Sequence, residues 1–524
     1  MVRRPTSFLL LLPLFLLAFC PLNKIVSAGD CVDALALSSL NQNIQANNYT
    51  DVTVEQAKMM IDSNPLLIVL DVRYQYEYDS GHMRNAHLVP LDELPSRFGE
   101  LDKNRDILVY CLTGDRSVIA SQNLTASGFE HVYNMLGGIT AWKNVDYPVY
   151  IRYSSLREAL NNAGSGDTIR VSIGTYTENI TINKPITLEG ENKTATTING
   201  NTTRYIMAIK ANNINIQDFT IGNGYYAIYC SQTSRTNLTV QNTIIRDNKL
   251  AGITLYGTRH IVSNNTIINS NVGILLGGEG NNTITQNSIT GSNQSGIELK
   301  NSRSNKVNEN HLTNNSIGIR FYTQSNNNTI IKNIITNCAN GISVHESSWN
   351  QITRNSIQNN TGIGISLLQG HNNTITKNDV SYNENKAFFI IDSYNNTLYQ
   401  NNMINNAAQV DNRTSLNKWD NGFLEGNYWS DYNGIDLNGD GIGDYPYIIN
   451  ANNQDSYPLM SPYLDGDYNH DGTVNMTDVE IVKQAWMSIK GESNYNPHAD
   501  FNMDKIISIK DATIIGVNWL KKWE

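Results

Sequence analysis

From about Ser154 to Ala408 the sequence repeats itself every 21 to 25 residues, and that period limits the fold more than any other feature. One row of the repeat is apolar: Ile228, Ile253, Ile274, Ile297, Ile319, Ile342, Ile365 and Phe388. A second row runs Asn242, Asn265, Asn287, Asn310, Asn333, Asn355, Asn378 and Asn401, in most coils two residues before an apolar position. Periods of this length mean a solenoid. Short β-branched segments, frequent Asn and Gly, and no helical periodicity point to a parallel β-helix, with a right-handed winding expected. Leucine-rich repeats share the period but need Leu-rich strands, whereas Ile, Val and Thr dominate here. Coils stack at about 4.8 Å, so equivalent residues form columns. Stacked Ile fill the core, and stacked Asn amides bond coil to coil at a turn, a structural role. Length divided by repeat predicts about ten coils. Ser154 to Ala163 reads as a capping helix over the open N-terminal end.

The remainder of the 524 residues brackets this rod. Arg3-Arg4, the apolar stretch Phe8 to Phe19 and the small residues Val26-Ser27-Ala28 predict a secretory signal cleaved near Ala28, and hence a secreted or cell-surface protein. A lipid anchor at Cys20 is an alternative that Phe19 weakens, being larger than the residue that usually precedes a lipid-modified cysteine, and an uncleaved anchor is another. A formal net charge of −10 argues against nucleic acid as a partner. Beyond the signal only Cys31, Cys111, Cys230 and Cys338 remain, too few for a disulfide framework. Cys230 and Cys338 stand nearly five coils apart, on the order of 20 Å, and read as buried thiols.

Cys111-Leu112-Thr113-Gly114-Asp115-Arg116 follows the apolar run Ile107 to Tyr110, a buried strand, and precedes a helix expected over Ser117 to Ser127. A cysteine between a strand end and a helix N-terminus faces free backbone N–H groups, which favour thiolate over thiol and make the loop an anion cradle. Around it stand Leu67 to Arg73, Glu77, Gly81-His82, Asn85-Ala86 and Asn134 to Trp142. Together, over about residues 51 to 150, they resemble a single-domain rhodanese, a sulfurtransferase of α/β fold. The resemblance implies that Cys111 takes a sulfane sulfur from a small donor such as thiosulfate, holds it as a persulfide and passes it to a thiol or other thiophilic acceptor. It implies backbone amides of Leu112, Thr113, Gly114, Asp115 and Arg116 around the persulfide and added positive charge from the Arg116 side chain. Asp71 and Arg73 become supports of the site; a purely structural ion pair is the alternative.

The solenoid itself carries less chemistry. A glycosidase needs two carboxyl groups about 5 to 9.5 Å apart, one or two coils apart here. None of Asp247, Glu279, Glu298, Glu309, Glu346, Asp379, Glu384 and Asp392 has an acidic partner one repeat away in register. Asn427 to Tyr432, then Asp436 to Asp444 and Tyr457 to Met460, resemble the end of β-helix proteins related to the periplasmic copper-binding factor of nitrous oxide reductase maturation. Copper wants clusters of His, Met or Cys. His260, His311, His345 and His371 are out of register with one another, so the fold carries over and copper is not expected.

Near the C-terminus Asp467, Asn469, Asp471, Thr473 (through its carbonyl), Asn475 and Asp478 occupy positions 1, 3, 5, 7, 9 and 12 of a calcium loop. Asp500, Asn502, Asp504, Ile506 (carbonyl), Ser508 and Asp511 repeat the pattern, with Lys505 where the turn prefers Gly. Aspartate at position 12, duplicated with a helix after each loop, resembles a dockerin. That implies two Ca2+ ions, the second bound more weakly, and a cohesin-like partner selected by Met476-Thr477 and Ile509-Lys510. A third cluster, Asp436, Asn438, Asp440, Ile442 and Asp444, has the same alternating oxygens without a following helix. It reads either as a third calcium site closing the β-helix or as a metal-free polar hairpin.

These readings divide the chain into a signal (1–28), a linker (29–50), a rhodanese-like domain (51–150), β-helix repeats (151–410), a cap (411–462) and a small all-α dockerin-like module (463–524). Two functions fit: an extracellular sulfurtransferase displayed through β-helix and dockerin, or a polysaccharide-binding or polysaccharide-processing adhesion protein in which the solenoid is the working part.

Overall fold

The computed structural model describes residues 48–200, 204–496, 499–500 and 505–522. The expected signal and Cys31 lie outside them. The first unit is a five-stranded parallel sheet, β1 (Thr50–Val52), β2 (Ile68–Asp71), β3 (His87–Leu88), β4 (Ile107–Tyr110) and β5 (Val132–Met135), in the order β1-β5-β4-β2-β3. Helices α1 (Val54–Ser63), α2 (Gln75–Asp79), α3 (Leu94–Arg97), α4 (Asp115–Ala126) and α5 (Gly138–Asn144) connect the strands. Ile107 to Tyr110 are wholly buried, because a central parallel strand is covered on both faces. One core holds Leu108, Tyr110, Met135 and Trp142, and the other holds Leu70, Ile107, Val109 and Leu124.

Helix α6 (Leu156–Asn162), N-capped by Ser155, then closes the near end of the solenoid. Three parallel sheets follow, with 12, 11 and 11 strands, more than the ten coils expected from the repeat. The longest sheet gains Tyr428–Trp429, which the cap adds beyond the repeats. Ile228, Ile253, Ile274, Ile297, Ile319, Ile342, Ile365 and Phe388 are register partners down one sheet.

The Asn row is a ladder of buried amides from Asn265 to Asn427, each Nδ2 donating to the next Oδ1 at 2.9–3.0 Å. Asn242 does not belong to it. Thr243 occupies that position and donates its backbone N–H to Asn265 Oδ1, while Asn242 takes the left-handed turn conformation (φ 47°) one residue earlier. Two further ladders went unread in the sequence. One runs from Asn282 through Asn305, Asn328, Asn350, Asn373 and Asn396 to Asn417. The other joins Asn360, Asn383 and Asn406, with Cys338 seated between Asn315 and Asn360. Cys230 and Cys338 are free and buried, and burial pushes the Cys230 thiol up to about 11.

At the far end Trp419 and Trp429 plug the core, Trp419 edge-on to Phe388 and Trp429 stacked on Tyr447 at 4.1 Å. The last unit holds α7 (Met476–Gln484) and α8 (Ile509–Asn518), one after each oxygen-rich loop. It is fastened along the solenoid: Asp465 accepts from Arg354 Nε and Nη2 (3.0 and 3.1 Å), Lys377 Nζ (3.3 Å) and the Tyr463 hydroxyl (2.9 Å). Among the described residues no helix is long and apolar enough to cross a membrane.

Candidate functional site

The Cys111 loop forms where β4 ends. Cys111 follows Tyr110 and is 1% exposed, the floor of a short loop. Gly114 caps α4 with φ 117°, a conformation other residues resist, so the helix starts at Asp115, two residues before the position expected from sequence. This turn aims the Gly114 N–H at Cys111 Sγ, 3.2 Å away. A second turn holds the loop from behind: Ile139 N–H donates to the Cys111 carbonyl and Thr140 N–H to that of Leu112. A Cβ at Gly138 would meet both carbonyl oxygens at 2.6 Å, so the approach needs glycine there.

Arg116 is fixed by a two-bonded fork, Nη1 and Nη2 donating to Glu77 at 2.8 and 2.7 Å. These bonds hold the Glu77 carboxyl below its ordinary range and raise the guanidinium, which also interacts electrostatically with Cys111. Asp71 and Arg73 form a buried pair at 2.6 Å, and Arg73 also donates to the Gly81 carbonyl at 2.9 Å. That bond fixes the segment before His82. Thr113 donates to Asp115 at 2.6 Å, and both are exposed at the loop rim with Leu112. The sequence alone did not single out Glu77 as the partner of Arg116; nothing in their 39-residue separation signals it. Glu191 carries no sequence signal either, since it lies on the solenoid and reaches back to His82 and the Asn85 N–H.

The three oxygen-rich loops share one backbone device. The first carboxylate of each accepts the N–H five residues on, at a residue with positive φ: Asp467 from Gly472 (2.8 Å), Asp500 from Lys505 (2.8 Å) and Asp436 from Gly441 (2.9 Å). Lys505 thus adopts φ 70° where the other loops use glycine. In the first loop Asp478 accepts from Tyr468 and Asn475 N–H, Asp471 from Thr473 N–H, and Asn475 from Thr477 N–H. In the second, Asp511 accepts from Ser508 N–H, and Ile506 pairs with Ile489; Asn502 and Asp504 lie outside the described residues. In the third, Asp440 accepts from Ile442 N–H and Asn438 Nδ2, and Asp444 from Leu437 N–H. This donor chemistry is hard oxygen throughout, which suits calcium. Burial, with repulsion from Asp478 and Asp471, pushes Asp467 up to about 6.

Two of the solenoid histidines are engaged by backbone groups. His260 turns Nδ1 to the Leu238 N–H and Nε2 toward the Tyr256 carbonyl, and His371 accepts the Tyr394 N–H. Among the described residues no three His, Cys, Asp or Glu side chains converge as a metal-ligand group, the carboxylates of the first and third oxygen-rich loops included. The solenoid carboxylates stay unpaired with one another in register: Glu298 lies between Leu275 and Arg320.

Comparison with known proteins follows this division. Residues 160–337 and 322–434, together more than half the chain, match the family described as periplasmic copper-binding protein (NosD). Residues 53–145 match the rhodanese-like domain and 465–516 the dockerin type I domain. A sulfurtransferase of Allochromatium vinosum is 33% identical over 93 residues, 18% of this chain and 86% of its own length. Thiosulfate sulfurtransferase GlpE of Coxiella burnetii is 35% identical over 77 residues, 15% of this chain and 72% of its own. The chain spans about half (52%) of the length of a Bacillus subtilis relative, 33% identical over 97 residues. Among solved structures, a rhodanese-related protein from Thermoplasma volcanium is 29% identical, covering 20% of this chain and all of its own, with a TM-score of 0.19.

Proposed function

For a chain that belongs to the NosD family by its solenoid and carries a rhodanese-like domain and a dockerin type I domain, we propose sulfur transfer through a persulfide on Cys111, outside the cytoplasm. The observation that carries this reading is Cys111 Sγ at the floor of a loop whose Gly114 N–H points at it, with Arg116 locked by Glu77 beside it. The Cys111 thiolate attacks the outer sulfur of a donor, the donor's bond to that sulfur breaks, and the loop amides hold the new persulfide. An acceptor thiolate then attacks the outer sulfur and restores Cys111. The solenoid holds this unit at one end and the dockerin-like module at the other. That module takes two calcium ions, at Asp467–Asp478 and Asp500–Asp511, and docks to a cohesin-like partner; the 436–444 loop is a third candidate site.

Mass spectrometry of the full chain after exposure to a panel of sulfane donors tests the reading. A persulfide on Cys111, lost in Cys111→Ala and kept in Cys230→Ala, is expected; a folded chain that takes sulfur from none of them refutes it. Calorimetric titration with calcium, before and after chelation, tests the C-terminal module, and indifference to both refutes its metal dependence.

A further inference from the structure

We infer that one edge of the solenoid is a row of N-glycan acceptors, at Asn237, Asn281, Asn327, Asn372 and Asn395; this rests on the extracellular part of the reading above and not on sulfur transfer. From Ile214–Gln217 onward, each strand of one eleven-stranded sheet is entered through a single residue of positive φ. Six of the nine residues in this row, from Asn213 to Asn395, are Asn, with φ of 55–59°. Five of these Asn have Thr two residues on: Thr239, Thr283, Thr329, Thr374 and Thr397. Where the turn holds Arg259, Ser304 or Trp349 instead, the position two on is Ile261, Lys306 or Gln351. These second positions are register partners from coil to coil. The left-handed turn explains the Asn and strand propensity explains the Thr, but neither explains why the two come and go together. The Asn-x-Thr acceptor triplet does. A second edge shows the contrast. It carries six Asn of positive φ as well, Asn223, Asn269, Asn314, Asn337, Asn359 and Asn405, yet only Asn314 and Asn359 have Ser or Thr two residues on.

The acceptors are also open. Asn237, Asn281, Asn327 and Asn395 are exposed and Asn372 is half-buried. The next residues, Asn282, Asn328, Asn373 and Asn396, turn inward to their ladder and so hold the preceding side chain outward. Among the described residues no group bonds to the side-chain amides of Asn281, Asn327, Asn372 and Asn395, while Asn237 donates to Asn213 Oδ1 at 2.8 Å. The first four acceptors stand two coils apart, about 10 Å, which leaves space for a sugar on each. Trp349 fills the slot between Asn327 and Asn372, 60% exposed and at φ 60°, a conformation bulky residues rarely take. A glycan on either neighbour lays the apolar face of a sugar against that indole and covers it. Arg354 and Lys377, which hold Asp465, belong to the positive-φ row of a different edge, so the C-terminal module leaves the acceptors uncovered. The donor is an oligosaccharide linked to a polyprenyl phosphate. Asn Nδ2 attacks its anomeric carbon, a C–N bond forms as the C–O bond to phosphate breaks, the lipid phosphate leaves with the electron pair, and the amide gives up one proton.

The test is cell fractionation and glycopeptide mass spectrometry of the full chain recovered from its native cells. Glycan on at least three of the five Asn is expected, on chain found outside the cytoplasm. Thr283→Val should remove the glycan from Asn281 and Thr283→Ser should keep it, since both leave Asn281 and its turn in place and only the first destroys the triplet. Exported chain with glycan on fewer than three of the five, or glycan on Asn281 that survives Thr283→Val, overturns the acceptor row alone. Chain confined to the cytoplasm overturns it together with the extracellular reading.

Discussion

His82 of the rhodanese-like unit and Glu191 of the solenoid meet at 2.9 Å, and neither side chain is exposed. The other ring nitrogen of His82 faces the Tyr78 carbonyl at 2.9 Å, and the ring stacks on Tyr78 at 3.6 Å. Glu191 also accepts the N–H groups of Asn85 and Ile173, so one carboxylate ties the two units together. Glu191→Ala leaves these donors buried without an acceptor and should cost about 3–5 kcal/mol. Calorimetry should show a separate, earlier transition for the first unit; an unchanged thermogram would mean the contact contributes nothing.

Glu77→Ala should lower the Cys111 loading rate roughly tenfold or more, because Arg116 loses the fork that fixes it beside the sulfur. Glu77→Gln should lose less. Rapid-quench persulfidation with circular dichroism as a folding control reads both.

The ladders give predictions of opposite sign. Asn333→Leu leaves the Val307 carbonyl and the neighbouring amides of Asn310 and Asn355 short of partners and should destabilise the solenoid by about 1–3 kcal/mol. Cys338→Asn should stabilise it by about 0.5–1.5 kcal/mol, since Cys338 already receives Asn360 Oδ1 on its N–H and interrupts a column of amides. Denaturant midpoints decide both.

Asp379 lies on the outer face of the longest sheet between Ser356 and Asn402, and burial pushes its carboxyl up to about 7. In the unfolded chain it ionises near 4. Between those values the folded state holds a proton that the unfolded state has released. Stability from this group is therefore highest below about pH 4 and falls as pH rises to about 7, by up to about 4 kcal/mol. Asp379→Asn should flatten that part of the profile in urea melts at stepped pH; an identical slope would place the titration elsewhere.

What could be read in advance was whatever the chain states locally or periodically. The Ile column and the Asn265–Asn401 row recur at nearly regular spacing, and Cys111 to Arg116 form one uninterrupted loop. Asn242 misled because the turn carries two adjacent polar positions, and only backbone conformation decides which faces inward. The ladder from Asn282 to Asn417 was as periodic but was masked by the many other Asn in each coil. Glu77 with Arg116, and Glu191 with His82, are encounters between distant segments, and no local pattern records them.

The Asp465 clamp changes where force enters the rod. Coil-to-coil hydrogen bonds run along the solenoid axis, so tension on a terminal coil would open them one row at a time, like a zipper. Asp465 holds Arg354 and Lys377, whose neighbours Asn355 and Asn378 stand three and two ladder steps before Asn427. A pull on the C-terminal module is thus delivered to the flank of the rod, inboard of its tryptophan plug. The last coils are spared the first load.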